Sequence, residues 1–171
     1  MEQAREASYW LHHLLQAFVA GRAALPLYMG LDAEPFSRLL ASDPALASWQ
    51  PTGPQHAAMQ LRAELLAMRQ EECQQIRDLL LAHAVAGAAP LADILAAAAL
   101  GFNHLWEDLG LASRPDLRCL MTDCFPSLER LNAQQMRWKK FFYRQLCQAG
   151  GEYVCRAPSC DECPERAACF E

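Results

Sequence analysis

Apolar residues recur at helical spacing over most of this chain. Nowhere do they alternate in the two-residue rhythm of a half-buried strand. Ala7, Leu11, Leu14 and Phe18 form a stripe, widened by Trp10 and Val19, which predicts a first helix from about Gln3 to Ala20 with Gly21 as its stop. Asp32 is placed to cap a short helix whose Phe36, Leu39 and Leu40 face inward. The proline-rich stretch Asp43 to Pro54 reads as a surface loop. From Gln55 to about Ala86 the helical period returns, as one helix or as two with a break near Gln70. Leu61, Leu65 and Met68 begin its stripe, and Ile76, Leu79 and Leu80 continue it.

After Gly87 and Pro90, the segment Leu91 to Trp106 is apolar on nearly all sides, the mark of a central helix. Gly110 closes it, and Ser113-Arg114-Pro115-Asp116 reads as a capping box opening the next helix, with Cys119 and Cys124 as buried small apolar residues. A last helix, capped by Asn132, carries Trp138, Phe142 and Leu146 inward. The expected fold class is therefore all-α: one helical domain, residues 1–150, with an irregular cysteine-rich loop, 151–171, belonging to the same domain.

Charge narrows the partners. Fifteen basic against 20 acidic residues give a net of −5, which disfavours a nucleic-acid partner. The start of the chain lacks a signal-peptide pattern, and the most apolar stretch, Leu79 to Leu100, is broken by His83, Pro90 and Asp93. A cytoplasmic chain without a membrane partner is expected. In that compartment clustered cysteines point to metal rather than to disulfides.

Local charge runs against the overall sign in one place. Arg137, Lys139, Lys140 and Arg144 put four positive charges into eight residues of the last helix. Such a run is usually a solvated face, but this one stands directly before the cysteines and can attract an anion. Glu71, Glu72, Asp78 and His83 lack the paired Glu-x-x-His pattern of a carboxylate-bridged metal site and read as a solvated acidic face. His12 and His13, adjacent on a helix, point about 100° apart and do not chelate. His104 and Glu107 lie three apart on one helical face and can share a ligand or a proton, although a histidine bonded within the core is the commoner finding.

Four of the eight cysteines, Cys155, Cys160, Cys163 and Cys169, fall in the spacing C-x4-C-x2-C-x5-C, with Pro158 and Pro164 breaking any regular helix. Thiolates are soft ligands, and four in so short a stretch can reach one centre. Structural zinc more often sits between two separated Cys-x2-Cys pairs, whereas this loop has one such pair flanked by single cysteines. The spacing therefore favours an iron–sulfur cluster of the 3Fe-4S or 4Fe-4S type over zinc. A structural iron–sulfur or zinc interaction module stays open as an alternative. So does an endonuclease III-like DNA glycosylase, although neither its Gly-rich hairpin nor a basic balance is present.

Three motifs in order carry a resemblance. His104-Leu105-Trp106-Glu107-Asp108-Leu109-Gly110-Leu111, Met136 through Cys147, and the four-cysteine loop together resemble the NifQ family of nitrogen-fixation proteins, most strongly from Ala92 to Phe170. In the first half only Met29-Gly30-Leu31 and the Glu71-Glu72 region look similar. The resemblance implies a non-enzymatic metallocluster carrier. It would hold a molybdenum–iron–sulfur cluster on Cys155, Cys160, Cys163 and Cys169 and donate molybdenum to the nitrogenase iron–molybdenum cofactor. Implied partners are the nitrogenase iron protein and the cofactor scaffold complex, with molybdate or another molybdenum compound as the source. Cys147 and His104 are candidate additional ligands. Cys73, Cys119 and Cys124 have no assigned role.

Overall fold

A computed structural model describes residues 5–150, 161, 164 and 166–170. Among these the regular structure is entirely helical: α1 (Ala7–Val19), a 3-10 turn (Leu27–Gly30), α2 (Ala33–Ala41), α3 (Gly53–Ala67), α4 (Gln70–Leu81), α5 (Ala89–Ala99), α6 (Leu105–Asp108), α7 (Arg114–Cys124), α8 (Pro126–Leu131), α9 (Trp138–Gln148) and α10 (Arg166–Phe170). No helix of the described residues is long and apolar enough to cross a membrane.

The core is built round α5. Leu91, Ala92, Ile94, Leu95 and all four alanines from Ala96 to Ala99 are buried. Helices α1, α4 and α6 and the 3-10 turn pack on it. Alanine faces let backbones approach closely, and the 3-10 turn uses this. Gly30, at φ 84°, lies so near that an added Cβ would stand 2.6 Å from the Ala97 Cβ. Tyr28 and Met29 just before it also have positive φ, at 59° and 61°. Such a left-handed run costs on the order of 1–2 kcal/mol per non-glycine residue, offset here by complete burial of Met29.

Helix ends follow local chemistry. α1 stops at Gly21 in a Schellman arrangement, with the Arg22 N–H donating to the Ala17 carbonyl and the Gly21 N–H to that of Phe18. α6 ends at Gly110 with the same pair of bonds. Thr52 caps α3 in a capping box with Gln55, so that helix begins inside the stretch expected to be loop. Ser113 caps α7 as expected, accepting from the Asp116 N–H with Pro115 in the first turn. Asn132 has a different role from the expected cap. It is buried at the end of α8, where its side chain accepts from the Met136 N–H and donates to the Met136 carbonyl, clamping the turn into α9.

Four other expectations are corrected by the packing. The helix expected from Leu91 to Trp106 ends at Ala99, and residues 100–104 form a loop before α6. Phe102, expected on that helix, is 86% exposed in the loop. Leu61, Leu65 and Met68 also face solvent, and α3 buries Met59 instead. Cys124 is fully buried, but Cys119, five residues earlier and half a turn out of phase, is exposed.

The expected break near Gln70 falls at Arg69, whose φ of −121° separates α3 from α4. Arg69 donates to Glu72 and to the Tyr143 hydroxyl, which donates in turn to Glu72, tying the junction to α9. The hydrogen bond from Arg69 lowers the Glu72 pKa. Burial raises the Tyr143 pKa to about 12 and that of Cys124 to about 12. Both groups are neutral in the fold, and both ionise more readily once the chain unfolds. Their contribution to stability is complete below the unfolded values, near 9 and 10, and is lost as pH rises toward 12. Denaturant unfolding across this window is expected to show the loss, and a smaller one in Tyr143→Phe. An equal loss in the variant would exclude Tyr143 as a contributor.

Candidate functional site

The start of α9 and the loop before α6 enclose an open cleft of about 790 Å³. Its lining includes Phe102, His104 and Trp106 from the loop and α6, and the basic residues Arg114, Arg137, Lys139 and Lys140. Arg114 stands in the first turn of α7, 23 positions before Arg137, and the fold brings the two together. Burial and the neighbouring Arg137 charge, in that order, lower the Arg114 pKa. Arg114 also donates to the Gln135 carbonyl at 2.9 Å, fixing the guanidinium against the turn that enters α9.

The basic run of α9 does not act as a unit. Arg137, Lys139 and Lys140 all line the cleft, but the Lys139 ammonium is turned to Asp108. It pairs with Asp108, which is 1% exposed, and donates to the Gly101 carbonyl at 2.9 Å. Asp108 also accepts from the Asn103 side chain at 2.9 Å and from the Asn103 N–H at 3.3 Å. One buried carboxylate thus pins the cleft-wall loop to α9. Arg144 does not line the cleft and lies about 10 Å further along the helix, seven residues at 1.5 Å each.

His104 is exposed in the cleft wall, and its backbone N–H donates to the Glu107 carboxylate at 2.9 Å. The pair therefore makes a helix start rather than a shared ligand. Glu107 nevertheless faces the same cleft and partly offsets its positive charge.

Of the four loop cysteines, Cys155, Cys160 and Cys163 lie outside the described residues. Cys169 is half-buried in α10, and its carbonyl accepts the Arg137 N–H at 2.6 Å. The last cysteine is therefore fastened to the first residue of the cleft-lining turn. Cys147 sits in the last turn of α9, about 15 Å along the helix from Arg137. The described residues hold no group of three or more His, Cys, Asp or Glu side chains arranged for a metal ion. The donor set of the loop, four soft thiols within fifteen residues, suits an iron–sulfur cluster chemically.

A family model for NifQ matches residues 10–171. The chain belongs to the NifQ family. It is 48% identical to protein NifQ of Klebsiella pneumoniae over 163 residues, covering 95% of this chain and 97% of that one. Against protein NifQ of Azotobacter vinelandii it is 43% identical over 169 residues, covering 94% and 86%. A shorter match, 55% identical over 80 residues, joins it to protein NifQ of Rhodobacter capsulatus and spans 47% of this chain and 44% of that one. No solved structure matches the chain. Membership of the NifQ family gives the chain a role in nitrogen fixation, and the family match runs through both the cleft and the cysteine loop.

Two residues of the site escaped the sequence reading. Arg114 was legible only as part of a helix start, and Asp108 only as one residue of the His104–Leu111 motif. Their partners, Arg137 and Lys139, are 23 and 31 positions away, so no local spacing announces them.

Proposed function

We propose that this chain is a molybdenum carrier. Cys155, Cys160, Cys163 and Cys169 hold an iron–sulfur cluster that takes up molybdenum as cargo. The chain passes it to assembly of the nitrogenase iron–molybdenum cofactor and does not turn over a substrate. The observation that carries this reading is the bond from the Arg137 N–H to the Cys169 carbonyl, which seats the end of the thiol-rich stretch at a cationic cleft. Thiolates supply the soft ligands that iron–sulfur clusters require. A cuboidal cluster lacking one metal presents sulfides to which molybdenum binds. The nitrogenase iron protein and the cofactor scaffold complex are the proposed recipients, and molybdate the proposed source.

Anaerobic purification followed by iron, molybdenum, zinc and acid-labile sulfide analysis tests the proposal. Iron with stoichiometric sulfide is expected, and loss of both in alanine variants of any of the four cysteines. Cys147→Ala and His104→Ala are expected to leave iron and sulfide unchanged. Zinc without sulfide would end the reading in favour of a structural metal module.

A further inference from the structure

We infer that the groove between α3 and the loop 100–104 is a docking site for an amphipathic helix of a partner protein, one that sets a carboxylate beside its apolar face to meet Arg62. The inference stands on this surface alone and does not depend on the carrier reading.

α3 carries an apolar stripe that the fold leaves outside. Met59 is its one buried residue. Leu61, Leu65 and Met68, at i, i+4 and i+7, run for about 10 Å along the helix and are all exposed. Phe102 stands across from Leu65 and Met68, and together with Leu66 and Leu100 they line a groove of about 360 Å³. A contiguous apolar surface held in water marks an interaction site, and an elongated groove of this kind receives a helix. α3 is nonetheless fixed in place, by the Thr52 capping box at its start and by the Arg69 bonds to Glu72 and Tyr143 at its end. A surface that is already ordered saves part of the entropy cost of binding.

Charge decides the occupant. Arg62 lines the groove, half-buried, and among the described residues its guanidinium has neither a hydrogen bond nor an ion pair. The other charged groups there are matched, Arg69 by Glu72 and Asp108 by Lys139. Glu64 follows Arg62 by two positions, about 160° round the helix, and does not line the groove. An Asp or Glu of the partner therefore completes the site, and arginine and methionine are both enriched at such interfaces. A second copy of this chain would bring another Arg62 to a two-fold contact in place of a carboxylate. A small apolar acid would satisfy Arg62 but leave Leu61, outside the groove, uncovered. Phe102 and Asn103 also line the cleft of the candidate site, so a docked helix lies against the wall that groove and cleft share.

The test is fluorescence anisotropy of the full chain with stapled helical peptides that carry leucines at i, i+4 and i+7 and, beside them, Glu, Gln or Lys. Expected is saturable binding of the Glu peptide, about ten-fold weaker binding of the Gln peptide and weaker still of the Lys peptide. Arg62→Gln should remove that ranking. Phe102→Ser and Met68→Ser should each weaken the Glu peptide about ten-fold. Both positions are more than four-fifths exposed, at 86% and 82%, so these variants keep the fold and the test stays decisive should Arg62→Gln unfold. Equal binding of the three peptides, a ranking that persists in Arg62→Gln, or no peptide binding would overturn the inference. So would self-association in sedimentation that Phe102→Ser abolishes, which makes the occupant a second copy, or binding of octanoate without any peptide. None of these readouts involves iron or sulfide, so failure of the carrier reading leaves them unaffected.

Discussion

Asp108→Ala is expected to lower the unfolding free energy by about 3 kcal/mol, the range found when one partner of a buried ion pair is removed. For a chain of this length that corresponds to roughly 6–12 °C in the melting temperature. The cost does not come from the lost attraction alone. It leaves the Lys139 ammonium without its counter-ion in a site only 18% exposed, and it unties both Asn103 bonds. The double variant Asp108→Ala with Lys139→Met should therefore recover a substantial part of the loss, because the orphaned charge is removed as well. Denaturant unfolding of the three proteins checks this. A single-variant cost below about 1 kcal/mol would show the pair to be no more than a surface ion pair.

The second large effect is expected at Gly30. Gly30→Ala imposes a side chain at φ 84° and drives its Cβ to 2.6 Å from that of Ala97 on the central helix. The left-handed conformation costs about 1–2 kcal/mol. Overpacking against a helix that cannot shift adds about 1–3 kcal/mol. The two contributions can be separated. In an Ala97→Gly background, itself about 1 kcal/mol less stable, Gly30→Ala should retain only the conformational cost. If the two substitutions prove strictly additive, close approach to α5 is not the reason for glycine at this position.

What was legible in the sequence divides along a physical line. Helix ends set by neighbouring residues were readable: Gly21 and Gly110 as stops and Ser113 as a cap all act within one turn of themselves. The choice of face was less readable, because it depends on what arrives from elsewhere. Leu61, Leu65 and Met68 keep a correct helical spacing, yet α3 meets the body through Met59 and leaves them in solvent. The end of α5 was hidden for a related reason. An alanine run passes into Gly101-Phe102-Asn103 without a proline, and the interaction that closes the loop there comes from Asp108 and Lys139. In the candidate site the cysteine spacing was plain, whereas the cleft was not. Of the four basic residues singled out there, three line it, one of them paired with Asp108, and a further cation, Arg114, belongs to a different helix.

Arg137 has a double attachment. Its backbone N–H holds the carbonyl of Cys169 while its side chain forms part of the cleft wall. A peptide group and a guanidinium on the same α-carbon are separated by a short covalent path. Any movement of α10 that breaks or bends the Cys169 bond therefore acts directly on the residue that shapes the cleft. The joint therefore couples the seat of the last cysteine mechanically to the shape of the cleft wall.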